Sequence, residues 1–291
     1  MKIGVSTYSL FGAIRAGELT VPEAIAYIAE IGGEHAEIVP VGFSLTDNPE
    51  LIEAIRSQAA ASGIELSNYA IGANFCGLSD DAFEAEIDRV KKEVDIARRL
   101  GVKLMRHDAA SSDDLSIRNF LGELPRVAEA CRRIAEYAAG FGITTSVENH
   151  GYFTQASDRV QALIHAVDRP NFKTTLDVGN FMCADEQPSV AVRKNIGYAS
   201  MVHIKDFYWR PKTRGNPGEG WFKTAHGHYL RGAIAGNGDI DLPDVLSIIR
   251  ESGYDGYLSL EFEGMEDCKL GSRIGLANLK KMWSETEEAS K

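Results

Sequence analysis

Strand-like and helix-like segments alternate along almost the whole chain, and this alternation constrains the fold more than any other feature. Short runs of β-branched and apolar residues predict strands at about residues 3–9, 35–39, 65–71, 103–109, 143–149, 173–178, 199–205 and 256–262. Helical patterns lie between most of them, at Val21–Ile31, Asn48–Ala61, Asp81–Leu100, Leu121–Phe141, Ser157–Val167, Leu242–Glu251 and Ser272–Thr286. Regular alternation of this kind predicts a parallel α/β sheet, and eight repeats favour its closure into a single (β/α)8 barrel.

Glycines mark the ends of several helical segments in this pattern. Gly101, Gly142 and Gly253 each follow a helical segment and precede a strand, which fits a helix that ends in a left-handed residue. An open doubly wound sheet is the alternative architecture. In that fold a glycine-rich, phosphate-binding turn is expected after an early strand, and the sequence has no G-x-G-x-x-G there. The barrel is therefore favoured.

Composition narrows the class of protein. The 291 residues are 44% hydrophobic and contain no low-complexity linker, so we expect one domain over residues 1–291. The 31 basic and 42 acidic residues give a formal charge of −11, which disfavours a nucleic-acid partner. The chain enters a strand directly and no apolar run approaches the roughly 18 residues of a membrane span, so we expect a cytoplasmic protein without a membrane partner. Its four cysteines show no Cys-x-x-Cys spacing, which indicates reduced thiols.

Four predicted strands in the second half end in a residue that can bind a divalent metal. These residues are Glu148, Asp177, His203 and Glu261. In barrel enzymes the chemistry lies at this end of the strands. Taken singly, each could be a helix cap or an ion-pair partner. Three carboxylates and one imidazole at the ends of consecutive strands instead predict a site for one Mn²⁺, Mg²⁺, Co²⁺ or Zn²⁺ ion, and hence a metal-dependent enzyme.

The segments around these residues resemble those of the xylose isomerase-like barrel superfamily. Within this superfamily they are most similar to the sugar isomerases and epimerases related to tagatose 3-epimerase, and inosose dehydratases are close relatives of that group. The resemblance covers essentially the whole chain. The segments that carry it are Val147-Glu148-Asn149-His150, Leu176-Asp177-Val178-Gly179-Asn180, His203-Ile204-Lys205-Asp206, Gly236-Asn237-Gly238-Asp239-Ile240-Asp241 and Gly253 to Glu261. It implies that the same four residues bind one divalent metal.

Two departures from the family pattern bear on function. Sugar 3-epimerases and the endonuclease IV branch usually carry His three positions after the metal-binding Asp, whereas this chain has Asn180. Endonuclease IV also needs an Asp-x-His element for its three zinc ions, and here the corresponding stretch reads Leu230-Arg231-Gly232. Together with the acidic charge, this gap argues against a nuclease.

A metal held in this way can chelate two vicinal oxygens of a hydroxy-ketone or aldose and stabilise an enediolate. Glu148 and Glu261 are the predicted acid and base, because each can offer one oxygen to the metal and the other to the substrate. We therefore expect a sugar or sugar-phosphate isomerase or epimerase. A keto-inositol or 3-keto-sugar dehydratase on the same site is the alternative. A non-catalytic sugar-binding barrel is a further alternative. The sequence does not decide whether the chain forms a homo-oligomer.

Further residues are predicted to contact a small carbohydrate or polyol-ketone substrate. They are His107, His150, Asn180, Lys205 and Arg231. Glu37, at the end of the second strand, is a weaker candidate. Tyr8 and Tyr69, with Phe75 nearby, are expected to form an apolar wall for a sugar ring. The segment Phe207–Asp241 is rich in glycine and basic residues, and it is expected to form a flexible lid over an anionic or hydroxyl-rich ligand.

Overall fold

Eight parallel strands form a closed barrel in the computed structural model, which describes residues 1–289. The barrel strands are β1 Lys2–Ser6, β2 His35–Ile38, β3 Glu65–Ile71, β4 Leu104–His107, β5 Thr144–Glu148, β6 Phe172–Asp177, β7 Ala199–Ile204 and β11 Tyr257–Leu260. Their order around the barrel is β1-β11-β7-β6-β5-β4-β3-β2, so each strand pairs with its chain neighbours and β1 closes on β11. The predicted (β/α)8 barrel is confirmed.

The helices surround this barrel. They are α1 Phe11–Arg15, α2 Val21–Glu30, α3 Pro49–Ser62, α4 Asp80–Leu100, α5 Ile117–Ala139, α6 Ser157–Val167, α7 Asn180–Cys183, α8 Pro188–Asn195, α9 Leu242–Glu251 and α10 Cys268–Ala289. Seven correspond to predicted helices within a few residues. Gly101, Gly142 and Gly253 have φ values of 82°, 66° and 74°, as the helix-ending pattern predicted. Among residues 1–289, no helix is both long and apolar enough to cross a lipid bilayer.

The segment after β7 contains regular secondary structure. It contains β8 Asp206–Arg210, β9 Phe222–Lys223 and β10 Tyr229–Ala233, which pair antiparallel in the order β8-β10-β9. We call this three-stranded sheet, with its connections, the insertion. It carries its own small apolar cluster, in which Phe207 and Leu230 pack against Cys183. These buried apolar contacts stabilise the sheet within a glycine-rich stretch.

Asp206 holds the two ends of the insertion together. Its carboxylate accepts backbone N–H bonds from Phe207, Gly236, Gly238 and Ile240 at 2.8–3.3 Å. A Cβ at Gly238 would lie 2.2 Å from Asp206 Oδ1, so only glycine permits this approach. Burial raises the pKa of Asp206, although the four backbone donors oppose that shift.

Candidate metal centre

Glu148, Asp177, His203 and Glu261 meet at the carboxyl-terminal mouth of the barrel. Strand register brings them together, since Asp177 pairs with His203 across β6 and β7, and the backbone N–H of Glu261 donates to Ile204 just beyond β11. One ligand atom from each residue lies within 4.8 Å of the other three, and all four residues are buried. Within residues 1–289 this is the one cluster of metal-ligating type.

Two of the atoms that face the centre of this cluster lack hydrogen-bond partners. His203 Nδ1 lies 3.8 Å from Glu148 Oε1, 3.8 Å from Asp177 Oδ2 and 3.6 Å from Glu261 Oε1, and neither Nδ1 nor Oδ2 makes a hydrogen bond. Two ligands about 2.1 Å from one ion and 90–109° apart are separated by roughly 3.0–3.4 Å. A contraction of a few tenths of an ångström would therefore suit an ion. Buried polar atoms without partners are rare, and the donor set fits a divalent metal.

Glu37 orients the imidazole of this cluster. A Glu37 carboxylate oxygen lies 2.9 Å from His203 Nε2, so that nitrogen carries a proton and, in the neutral ring, Nδ1 keeps its lone pair toward the cluster. Asn68 Nδ2 donates to Glu37 at 2.7 Å and fixes the carboxylate in turn. Burial disfavours a charged His203, but Glu37 and Glu261 outweigh it and raise the pKa of the ring well above its usual value.

Two asparagines shape the loops that follow β5 and β6. Asn149 exchanges two hydrogen bonds with the backbone of Asp177, at 2.7 and 2.8 Å, and so ties the two strand ends together. The backbone N–H of Asn180 donates to Asp177 Oδ1 at 2.8 Å, while its side-chain amide donates to Glu148 Oε1 at 3.0 Å. Asn180 thus directs two of the carboxylates toward the cluster.

Arg106, which the sequence did not single out, neutralises Glu148 from the side of β4. Its guanidinium lies 2.5 Å from Glu148 Oε2 and 3.1 Å from Asp108 Oδ1. Burial raises the pKa of Glu148, but Arg106 and His203 outweigh it and hold that pKa well below its usual value. His150 Nδ1 lies 3.3 Å from Asp108, which places the imidazole at the edge of the same network.

Lys205 is a buried ammonium between the cluster and the loop after β11. Its Nζ lies 2.8 Å from Glu261 Oε2, 3.2 Å from Glu263 Oε2 and 3.4 Å from Asp177 Oδ2, and it lies over the ring of Tyr8. Burial disfavours the charged amine, but these carboxylates raise its pKa well above the usual value. Burial also raises the pKa of Asp177 to about 7, with Lys205 opposing and Glu148 adding to the shift.

A cavity of about 350 Å³ opens above the cluster, and we call it the main cavity. The predicted residues His150, Asn180 and Lys205 line it together with Glu148, His203 and Glu261, and Tyr8 forms part of the wall. The insertion contributes Phe222. Its basic residues do not line this cavity, because they lie elsewhere on the sheet; Arg210, for example, lies 3.4 Å from Asp239.

Two residues predicted to bind substrate lie outside the main cavity. His107 pairs in register with Val147, one residue before Glu148, so its side chain points toward the helices. There it packs between Phe75 and Phe172, with ring centroids 6.1 Å away in each case. Arg231, on β10, stacks over Tyr208 at 4.7 Å and does not reach the cluster.

Comparison with known proteins identifies the family of this barrel. Residues 25–282 match the family model described as "Xylose isomerase-like TIM barrel". The chain belongs to this family. 3-Oxo-isoapionate decarboxylase of Pectobacterium atrosepticum is 24% identical over 287 residues, which cover 93% of this chain and 90% of that protein.

Two further relatives of this xylose isomerase-like barrel are dehydratases that it matches only in part. Inosose dehydratase of Clostridium botulinum is 24% identical over 144 residues, and the match covers 47% of this chain and 46% of that protein. 3-Dehydroshikimate dehydratase of Pseudomonas aeruginosa is 25% identical over 263 residues, which cover 90% of this chain and 38% of that protein. The chain therefore spans about half or less of the length of these two relatives.

Solved structures agree on the fold. The structure of an L-ribulose 3-epimerase superposes with a TM-score of 0.75 at 17% identity and covers 99% of this chain and 96% of its own. A xylose isomerase-like barrel protein from Mycobacterium smegmatis in complex with magnesium gives a TM-score of 0.72 at 17% identity, covering 98% and 97%. At these identities the likeness supports the barrel fold alone.

Proposed function

We propose that this chain is a divalent-metal-dependent enzyme that moves a proton beside the carbonyl of a polyhydroxy-ketone, as a sugar isomerase or epimerase. The observation that carries the proposal is the buried cluster of Glu148, Asp177, His203 and Glu261, with its unpartnered donor atoms, on the floor of the main cavity. A divalent ion bound there would polarise the substrate carbonyl and stabilise the negative charge that develops on it.

The two glutamates of the cluster have different partners. Glu148 has one oxygen toward the cluster and the other on Arg106, whose guanidinium does not give up a proton in proteins. Arg106 therefore holds Glu148 in place and keeps it charged. Glu261 has one oxygen toward the cluster and the other 2.8 Å from the ammonium of Lys205. We assign Glu261 and Lys205 as the pair that takes the proton from one substrate carbon and returns it.

A dehydratase is the second candidate, and the position of Lys205 is what favours it. In a β-elimination the base takes the proton beside the carbonyl, the electron pair forms the new C=C bond, and the hydroxyl on the next carbon leaves as water after receiving a proton. An ammonium inside the cavity is suited to give that proton. The inosose and 3-dehydroshikimate dehydratases among the relatives support this reading.

The test is proton NMR in D₂O with Mn²⁺-loaded protein and a panel of ketoses, aldoses and keto-inositols. We expect deuterium to enter beside the carbonyl, and the exchange to fall at least about 100-fold in Lys205→Arg, because the guanidinium keeps the charge but does not cycle a proton. Glu251→Gln, at an exposed surface pair, is the control for handling and folding. Elimination would add a conjugated enone that absorbs in the ultraviolet.

The metal content of each variant separates binding from chemistry. Lys205→Arg should keep one metal per chain, while Glu261→Gln should lose affinity for it. Deuterium exchange that survives in Lys205→Arg would remove Lys205 from the proton path. A stoichiometric metal with tight sugar binding and no exchange on any compound would instead indicate a binding protein.

A further inference from the structure

A second cavity borders the main cavity, and its walls are of a different kind. It measures about 530 Å³, and we call it the side cavity. Tyr8, Phe222 and Glu263 line both cavities, so the two are neighbours across these three side chains. Both volumes fall in the range of roughly 300–1,000 Å³ that is usual for small-molecule sites.

The side cavity combines aromatic faces with carboxylates. Phe11 stacks on Tyr8 with ring centroids 5.3 Å apart, and this pair forms an aromatic wall. Glu18, Glu266 and Asp267 supply acidic groups, and none of the described residues that line it is Lys, Arg or His. Oxygen Oε2 of Glu266 is buried and accepts no hydrogen bond, while its Oε1 lies 3.9 Å from Arg231 Nη2. Such walls suit a neutral ring that stacks on an aromatic face and donates hydroxyl protons to carboxylates.

The side chains of the main cavity also offer no unpaired cation to an anionic group. Each of its cations already faces a carboxylate: Arg106 faces Glu148, Lys205 faces Glu261 and Glu263, and His150 faces Asp108. A phosphate or carboxylate on the ligand would have to displace one of these pairs. Neither cavity therefore offers an unpaired side-chain cation to an anionic group, and the aromatic wall of the side cavity suits a neutral ring.

We propose that the side cavity binds the second ring of a neutral glycoside, with the reacting polyhydroxy-ketone ring in the main cavity. The preferred substrate is then a disaccharide or an aryl glycoside, and a free monosaccharide would occupy the main cavity alone. This proposal rests on the proposed function for the identity of the reacting ring. The side cavity itself can be tested by binding, without turnover.

Cys268 provides a reporter inside the side cavity. It is partly exposed, whereas Cys76, Cys131 and Cys183 are buried. The rate of its alkylation by iodoacetamide is measured on full-length Mn²⁺-loaded protein, with Cys268→Ser as the control for labelling elsewhere. The probes are cellobiose and 4-nitrophenyl β-D-glucoside, compared with D-glucose and D-fructose. At about ten times its dissociation constant, a ligand that fills the side cavity should slow alkylation roughly tenfold.

A substitution in the cavity wall gives the second arm. A Cβ at Gly12 would make an ordinary contact of 3.7 Å with Cys268 Sγ, so Gly12→Leu fills the side cavity without touching the metal cluster. Gly122→Leu, in α5 with no atom within 4 Å of its Cβ, is the matched control. Calorimetry should show a glycoside affinity at least about tenfold weaker in Gly12→Leu, which is a change of about 1.4 kcal/mol. Deuterium exchange on monosaccharides should stay unchanged.

The outcomes separate this inference from the proposed function. Protection by both glycosides and not by the monosaccharides supports the side-cavity site, whether or not exchange is seen. The inference is overturned if neither glycoside protects Cys268, if monosaccharides protect it equally, or if Gly12→Leu leaves glycoside affinity unchanged. Absence of deuterium exchange on every compound would count against the proposed function alone.

Discussion

Replacing Glu37 by Gln tests whether a charge behind His203 sets the metal affinity of the cluster. Glu37 lies 2.9 Å from His203 Nε2 and is itself held by Asn68 at 2.7 Å. Gln keeps the shape of the side chain and an oxygen that accepts the Nε2 proton, so the tautomer of His203 is preserved. Only the negative charge that makes Nδ1 a stronger donor is lost. Partners of this kind change metal affinity by about 10–100-fold, or about 1.4–2.8 kcal/mol.

The assay is calorimetric titration of metal-free protein with Mn²⁺, which measures metal affinity independently of catalytic activity. Glu34→Gln is the matched control, because it makes the same change three residues earlier on an exposed side chain. We expect Glu37→Gln to weaken Mn²⁺ binding by at least about tenfold, and Glu34→Gln to bind like the wild type. Binding of Mn²⁺ by Glu37→Gln within twofold of the wild type would refute the role assigned to the Glu37 charge.

Three further substitutions test the site and its support. A metal at 100 times its dissociation constant stabilises the fold by about 2.7 kcal/mol, which raises the Tm of a 291-residue chain by roughly 4 °C. Asp177→Asn should abolish this rise in Tm, as measured by calorimetry. An unchanged rise would contradict the assignment of Asp177 as a metal ligand. Arg106→Gln breaks a buried ion pair and should lower stability by about 3–5 kcal/mol in urea. Added Mn²⁺ should recover more stability in Arg106→Gln than in the wild type, and an equal gain in both would argue against charge compensation. Asp206→Asn would turn an amide group toward two backbone N–H donors and cost about 2–6 kcal/mol by thermal unfolding; a loss below 1 kcal/mol would mean that Asp206 does not anchor the insertion.

The barrel could be predicted because its signals are local. Each strand is a short apolar run, and the longer helices show a clear period and a glycine end. The elements that were missed are short: α1, α7 and α8 have 5, 4 and 8 residues, too few for a helical period. The strands of the insertion were missed because they pair only with one another and with a small apolar cluster.

The four residues of the candidate metal cluster could be selected from the sequence because each follows an apolar run. The contacts of Arg106 and Glu37 depend on the tertiary structure, which the sequence pattern does not show. Strands buried on both faces read as continuous apolar runs, so nothing in β4 shows that Arg106 faces inward and His107 outward. Glu37 meets His203 across 166 residues of sequence, and only closure of the barrel brings them together.

The pairing of charges in the main cavity bears on the charge of the ligand that it can bind. The basic residues of the insertion favour an anionic ligand when only the sequence is considered, but the insertion turns Phe222, not a cation, toward the main cavity. Arg106 and Lys205 do line it, yet their charges are matched by Glu148 and Glu261. Since an anion would have to separate a buried pair, we expect the same contacts that hold the two glutamates in place to disfavour a phosphorylated ring. The proposed preference for neutral sugars rests on this pairing of charges.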